Sequence, residues 1–358
     1  MKALCERPRI LVITMRRLGD VLLTTPLIRA LKLGFPDSAV AALVFRGTEG
    51  MLAGNRDLDH VITVPQRPSP AEVTALILRF WRRYDLAVAT HAGDRPTFLA
   101  WAAGRQRLGL LSSAEAGAWW KRRVFAGVVP AEKDNHRVVE LGRLADFLGV
   151  PRRNEIVCPA GAMPPAPVLP AAYAVLHASP MFRIRRWTDN GWRSLAQGLA
   201  DRGLAVVATG GPDPAEKDYL DRIWGAREPP VVRLDGKLGW PGLTALLRGA
   251  AVYVGPETSM THLAAGAGTP TVALYGPASP SLMGPWPPGG LEEPWARAGT
   301  IQHRSNVWVV QNPLPCMPCD KLGCDGHLNS RSQCLDELPT QRVLAAVDQA
   351  LALRKAVA

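Results

Sequence analysis

Three short segments of the chain carry side chains that can do chemistry. The first is Arg16-Arg17-Leu18-Gly19-Asp20. It follows a short β-rich run, Ile10 to Met15. That places it at the carboxyl end of a first strand, where open α/β sheets bind their ligands. Gly19 allows a tight turn there, and Asp20 opens a helix. A carboxylate in that place is either a helix N-cap, a favoured role for Asp, or a general base for a substrate hydroxyl. The second segment runs from Gly255 to Ala265 and carries Glu257, Thr258, Ser259 and His262. It leads from an apolar strand into a helix start, where hydroxyls and backbone amides suit a diphosphate. Ordinary capping by Thr258 is the other reading, and His262 alone also reads as a hydrogen-bonded core histidine. The third, Gly268 to Pro277, is a buried strand ending in a Gly-Pro turn.

A fourth group is the cysteine cluster. Cys5 and Cys158 are isolated, whereas Cys316, Cys319, Cys324 and Cys334 follow one another closely, with His327 among them. Four thiolates can close a tetrahedral zinc or iron site. The first pair has knuckle spacing, but the rest fits no standard finger. A cytoplasmic cluster reads as metal-binding before it reads as disulfides. The alternative is four reduced thiols packed in a loop. A metal there is structural, stapling a loop rich in proline (Pro313, Pro315, Pro318).

The elements that must position these groups alternate strand and helix. Strands are expected at Ile10–Met15, Ala39–Phe45, Val61–Val64 and Leu86–Thr90. Helices are expected at Val21–Leu33, Ala71–Trp81 and His136–Leu148. Five prolines between Cys158 and Pro170 mark a domain boundary. The pattern then restarts. Strands are expected at Tyr173–His177, Ala205–Thr209, Val231–Leu234, Val252–Gly255 and Thr271–Tyr275. Helices lie between them, and a long helix runs from Thr340 to Val357. Such alternation argues for parallel sheets covered by helices.

The net charge is +11 over 358 residues, and it is unevenly spread. Residues 1–170 hold 24 Lys and Arg against 15 Asp and Glu, while residues 171–358 hold 18 against 16. A basic first half suits an anionic partner. A nucleic-acid-binding protein is the non-enzymatic reading of that charge, but no nucleic-acid module is recognisable. No G-x-G-x-x-G or G-x-x-x-x-G-K-[ST] occurs, which argues against a dehydrogenase or a P-loop kinase. No targeting or spanning segment is evident, since Pro270, Pro277 and Pro280 break the longest charge-free stretch. A cytoplasmic location is expected. Eleven tryptophans are many, and two aromatic-basic clusters stand out: Phe80-Trp81-Arg82-Arg83-Tyr84 and Trp119-Trp120-Lys121-Arg122-Arg123. Both suit a membrane interface. Trp81 also fits a core position, and one of Trp119 and Trp120 must point outward.

Taken together, the three segments resemble glycosyltransferase family 9, the heptosyltransferases of bacterial lipopolysaccharide core assembly. The matching residues are Gly19-Asp20, Pro26, Leu31-Lys32 and Pro36, then Glu257-Thr258 and His262-Leu263-Ala264-Ala265, then Gly268-x-Pro270 and Gly276-Pro277. The resemblance implies the GT-B architecture: two Rossmann-like domains, a deep interdomain cleft and a C-terminal crossover helix. Residues 1–165 would bind the acceptor and residues 171–338 the nucleotide sugar, with 339–358 packing back toward the first domain. It assigns the catalytic base to Asp20 and a phosphate-binding cation to Arg185, where the family has Lys. Donor contacts are expected from Gly19, Arg183, Arg186, Glu216, Glu257, Thr258, Ser259 and His262. Two positions depart from the family: Glu257 stands where Asp is usual, and Ser259 where many members have Gly. The reaction implied is inverting transfer of a heptose, from a donor expected to be ADP-heptose, to the lipopolysaccharide inner core at the inner membrane surface; the alternative is the same fold using another sugar or glycosylating a protein or another glycolipid. Catalysis would need no metal or other cofactor. A related group, the autotransporter heptosyltransferases, is similar in carrying an iron-binding cysteine finger.

Overall fold

The computed structural model describes residues 4–112, 119–161, 169–225 and 228–357. The chain forms two compact units, Met1–Pro159 and Ala160–Ala358. The division falls in the proline-rich segment, whose Pro164, Pro165 and Pro167 lie outside the described residues.

Among its described residues the first unit contains six strands: β1 (Arg9–Thr14), β2 (Ala39–Phe45), β3 (His60–Val64), β4 (Tyr84–Ala89), β5 (Gly104–Ser112) and β6 (Gly127–Ala131). Its helices are α1 (Leu18–Leu22), α2 (Thr25–Gly34), α3 (Pro70–Phe80), α4 (Asp94–Ala103), α5 (Trp119–Val124) and α6 (Arg137–Phe147). The sheet order is β3-β2-β1-β4-β5-β6, and every pair is parallel. Ile10, Leu11, Val12 and Ile13 are all fully buried. A parallel strand covered on both faces reads as such a continuous apolar run.

The expected single helix Val21–Leu33 is two. Helix α1 ends at Leu22 and α2 restarts at Thr25, with Pro26 in its first turn. Proline has no amide to extend the first helix but suits the start of a second. At the break, the Thr24 and Thr25 hydroxyls donate to the carbonyls of Asp20 and Leu22, both at 2.7 Å.

Right-handed crossovers fix the layers. Helices α1 and α2 follow β1 in one direction across the sheet. Helices α3, α4 and α5 follow strands laid down in the other direction, so they cover the opposite face. Phe80, Leu99, Ala100, Ala103 and Phe125 accordingly join Leu11, Ile13, Ala87 and Ala89 in one core. Helix α6 packs on α2.

The second unit contains β7 (Tyr173–Leu176), β8 (Ala205–Ala208), β9 (Val231–Arg233), β10 (Val252–Pro256), β11 (Thr271–Leu274), β12 (Ile301–Arg304) and β13 (Val307–Val310). Its helices are α7 (Asp189–Ala200), α8 (Pro214–Trp224), α9 (Trp240–Gly249), α10 (Ser259–Gly266), α11 (Pro280–Met283), α12 (Gln333–Asp336) and α13 (Thr340–Val357). The order is β12-β13-β11-β10-β7-β8-β9, and β12 alone runs antiparallel to its neighbour. With β12 set aside, the wiring repeats that of the first unit. Trp192 packs edge-on between Trp187 and Trp224, with ring centroids 5.2 and 6.4 Å away. Helix α13, expected to turn back toward the first domain, packs on α7, β10, β11 and β13. It buries Val343, Ala346, Val347 and Ala350 in the core of the second unit. Among the described residues, no helix is long and apolar enough to cross a membrane.

Candidate active site

In a doubly wound sheet the ligand crevice opens where the strand order reverses, beyond the carboxyl ends of the two central strands. The first unit reverses between β1 and β4. Asp20 follows β1, and His91 follows β4. The N-cap of α1 is Arg17, so Asp20 is no cap and lies inside the first turn. It is only 6% exposed. The Nε atoms of Arg16 and Arg137 stand 2.8 and 3.8 Å from the same oxygen, Oδ1. Neither N–H is in line with it, and Oδ1 accepts no hydrogen bond. The two guanidinium groups hold the carboxylate in place beyond β1, and a carboxylate there is a candidate base for a substrate hydroxyl.

Arg137 opens α6 and donates from Nη2 to the Thr90 carbonyl at 2.9 Å. Burial draws its pKa down to about 10, and the charge of Asp20 opposes the shift. His91 is pulled down to about 4, first by burial and then by Arg16 and Arg137, so it is a neutral imidazole near pH 7. Its Nδ1 is buried without a partner. Neither His91 nor Arg137 was anticipated from the sequence. The available signal was topological. Strands β1 and β4 are parallel neighbours, so the residues that follow them arrive at one edge.

The second unit reverses between β7 and β10. His177 follows β7, and Glu257-Thr258 follow β10. Thr258 caps α10, its hydroxyl accepting from the Thr261 amide. Arg185 is fixed against this helix start. Its Nη2 pairs with Glu257 Oε1 at 2.8 Å, and its Nη1 donates to the Glu257 carbonyl at 3.3 Å. Ser259 is the first residue of the helix, half-buried. His262 is buried, and its pKa is lowered to about 4 by burial and then by Arg185. The Tyr253 hydroxyl lies 2.9 Å from Thr261 Oγ1 and ties the strand to the helix. A guanidinium beside the first amides of a helix is an anion site.

The other expected donor residues are spread around this centre. Arg186 lies over the Tyr219 ring, 4.0 Å from its centroid. The charge of Arg183 acts on Asp336. Glu216 sits in the first turn of α8 and accepts from the Gly211 amide at 2.7 Å, shaping the turn after β8. Gly19 lies within α1 beside Asp20.

The sequence model of glycosyltransferase family 9 (heptosyltransferase) matches residues 160–290. The chain is also 26% identical over 293 residues to lipopolysaccharide heptosyltransferase 3 of Escherichia coli, covering 76% of this chain and 84% of that one. Over most of its length the chain is thus similar to the heptosyltransferases of glycosyltransferase family 9. It is a glycosyltransferase, and its fold is GT-B. A family 9 glycosyltransferase from Veillonella parvula superposes with a TM-score of 0.74 at 17% identity, covering 97% of both chains. The E. coli heptosyltransferase WaaC with ADP gives 0.71 at 20% identity, covering 96% of this chain and 99% of that one. The same enzyme is solved with ADP-2-deoxy-2-fluoro heptose. In this glycosyltransferase the family match spans Arg183, Arg185, Arg186, Glu216, Glu257, Thr258, Ser259 and His262. Asp20 lies outside it.

The cysteine cluster also lies outside the matched residues. Cys316 and Cys324 are exposed, Cys319 is half-exposed, and Cys334 is buried on α12. The Gln333 amide donates to Cys324 Sγ at 3.4 Å. The Cys334 thiol is pushed up to about 12 by burial, then by Cys319, and to a lesser degree by Cys324 and Cys316. The arrangement falls short of the expected closed site. Among the described residues, no three His, Cys, Asp or Glu side chains are grouped to hold an ion. Cys334 is anchored in a helix, whereas the other three lie along an exposed loop.

Proposed function

We propose that the enzyme transfers a heptose, with inversion, from ADP-heptose to the inner core of lipopolysaccharide. The supporting observation is that each unit carries reactive side chains at its own point of strand reversal. Asp20 presents a carboxylate paired with Arg16 and Arg137 in the first unit, and Arg185 lies on the start of α10 in the second. Asp20 accepts the proton of the acceptor hydroxyl as its oxygen attacks the anomeric carbon. The bond from that carbon to the diphosphate breaks, and the leaving group takes the electron pair. Arg185, Thr258 and the first amides of α10 receive the growing negative charge. Attack from the face opposite the diphosphate inverts the anomeric centre. The choice of heptose and ADP follows the named relatives and their bound nucleotides.

The test is a mass measurement. Heptose-deficient lipopolysaccharide incubated with enzyme and ADP-heptose is expected to gain one heptose. No gain with ADP-heptose, but a gain with another nucleotide sugar, would refute the donor assignment.

Two further parts of this reading are separate from the chemistry. The enzyme is proposed to work in the cytoplasm, peripherally on the inner face of the cytoplasmic membrane, where an acceptor of this kind is found. A structural zinc or iron ion is proposed on the spacing of Cys316, Cys319, Cys324 and Cys334 alone, and to bind it the exposed loop that carries the first three would have to close on Cys334. Elemental analysis should then find about one metal per chain. Cys319→Ser should lower the melting temperature more than the turnover. A metal-free preparation of full stability would leave the four as ordinary thiols.

A further inference from the structure

Helices α3, α4 and α5 form one continuous layer on the first unit, and that layer is incompletely buried. Helix α3 has the sequence Pro-Ala-Glu-Val-Thr-Ala-Leu-Ile-Leu-Arg-Phe, yet only Phe80 is buried. Val73, Leu76 and Ile77 are half-buried, and Leu78 is 72% exposed. Trp81, for which the sequence left both an interface and a core position open, is 48% exposed, and Phe98 on α4 is 38% exposed. Trp119 on α5 is 64% exposed. The three helices are packed side by side, α3 on α4 and α4 on α5. Trp101 links the first two, its ring 5.2 Å from Trp81 and 5.6 Å from Phe98.

The charges on this layer are predominantly positive. Residues 70–84, 94–103 and 119–124 hold seven Lys and Arg against two Asp and Glu. Arg82 lies 5.7 Å from the Trp81 ring, and Arg123 lies 5.1 Å from that of Trp119. Exposed indoles beside guanidinium groups match the headgroup layer of a bilayer, where the ring sits at the interface and the cation meets phosphate.

We propose that the α3–α4–α5 face is the surface by which this enzyme seats on an anionic lipid bilayer. This rests on the reading above that the enzyme works at a membrane, and it names the surface. Trp81, Phe98, Trp119 and Leu78 enter the headgroup boundary, and Arg79, Arg82, Arg83, Arg122 and Arg123 pair with lipid phosphates. A nucleic acid offers phosphate and stacking but no apolar partner for Leu78 and the flank of α3. A second copy meeting this face about a two-fold axis would set cations against cations. Anionic lipid satisfies both the charge and the apolar area.

The experiment is flotation of the purified enzyme with vesicles. It uses no donor or acceptor, so its failure leaves the transferase reading intact. Vesicles of phosphatidylethanolamine and phosphatidylglycerol should carry the enzyme up, and vesicles of phosphatidylcholine should not. Binding should fall with added salt. Each exposed cation is worth about fivefold in partition. The variant Arg82→Glu/Arg83→Glu/Arg122→Glu/Arg123→Glu should therefore float at least about 100-fold less. Trp119→Ala should bind several-fold less, and Phe147→Ala, in α6 on the opposite face, should bind as wild type. Circular dichroism and melting temperature confirm that each variant is folded. Equal flotation of the charge-reversed variant, or equal binding to both vesicle types, would overturn the proposal. So would light scattering that showed a dimer broken by Trp119→Ala, with vesicle binding unchanged.

Discussion

In the proposed mechanism Asp20 and Arg185 divide the chemistry at the residue scale, and they should fail differently. Asp20→Asn keeps the shape of the side chain and removes the base. Turnover should fall about 10²–10⁴-fold. ADP binding by calorimetry should stay within about twofold, because the nucleotide is assigned to the other unit. Wild-type turnover in this variant would remove Asp20 from the mechanism. Arg185→Ala should weaken ADP binding about 10–100-fold, the worth of a charge-assisted contact, and lower turnover as well. Arg186→Ala should cost much less, because Arg186 is committed to the Tyr219 ring. The reverse order would show that a different arginine faces the diphosphate. Asp20 and Thr258 were legible as candidates because each follows an apolar strand within a recognisable motif. His91 and Arg137 were not. Each is a lone residue whose relevance depends on which strands become neighbours.

The strands and helices that hold these residues were legible where the apolar run was clean. Strands β1, β2, β4, β7, β10 and β11 were found within a residue or two. The segment containing α4, β5, α5 and β6 was not read. Strand β5 begins Gly104-Arg105-Gln106-Arg107, and its polar residues hide the strand pattern. Helix α4 has Pro96 as its third residue, a position that only a helix start tolerates. Strand β10 and helix α10 supply a test at this scale. A methyl group on Gly255 would meet the Tyr253 hydroxyl, which is bound to Thr261. Gly255→Ala should therefore disturb the strand and the helix start together. Stability should fall by about 1–3 kcal/mol, and ADP affinity should fall with it. A stable variant with normal ADP affinity would show that the Tyr253–Thr261 tie is dispensable.

At the scale of the whole molecule, burial holds His91, His177 and His262 neutral. His91, His177 and His262 each have a pKa lowered from 6.5 to about 4. The unfolded chain binds protons at these sites below about pH 6.5, and the native chain does not until about pH 4. Their contribution is therefore fully present above pH 6.5 and is lost as the pH falls toward 4. Each fully buried imidazole accounts for on the order of 2–3 kcal/mol over that range. The melting temperature should be flat above pH 6.5 and fall steadily below it. His177→Asn should flatten the slope in proportion. A melting temperature unchanged down to pH 4 would mean that these imidazoles open to water without cost.

The parallel wiring also governs how the protein is made. Strand β1 leaves the ribosome before either of its sheet neighbours, with Ile10, Leu11, Val12 and Ile13 bare. Its partner β2 follows soon, but the neighbour on its other side waits until Leu86 has been synthesised. At about 5–20 residues per second, that wait lasts roughly 4–15 s. For that time the most apolar strand of the nascent chain presents an open edge. Chaperones that hold extended apolar segments have their chance in that interval. Overproduction that outruns them should yield inclusion bodies, and slower translation should yield soluble enzyme.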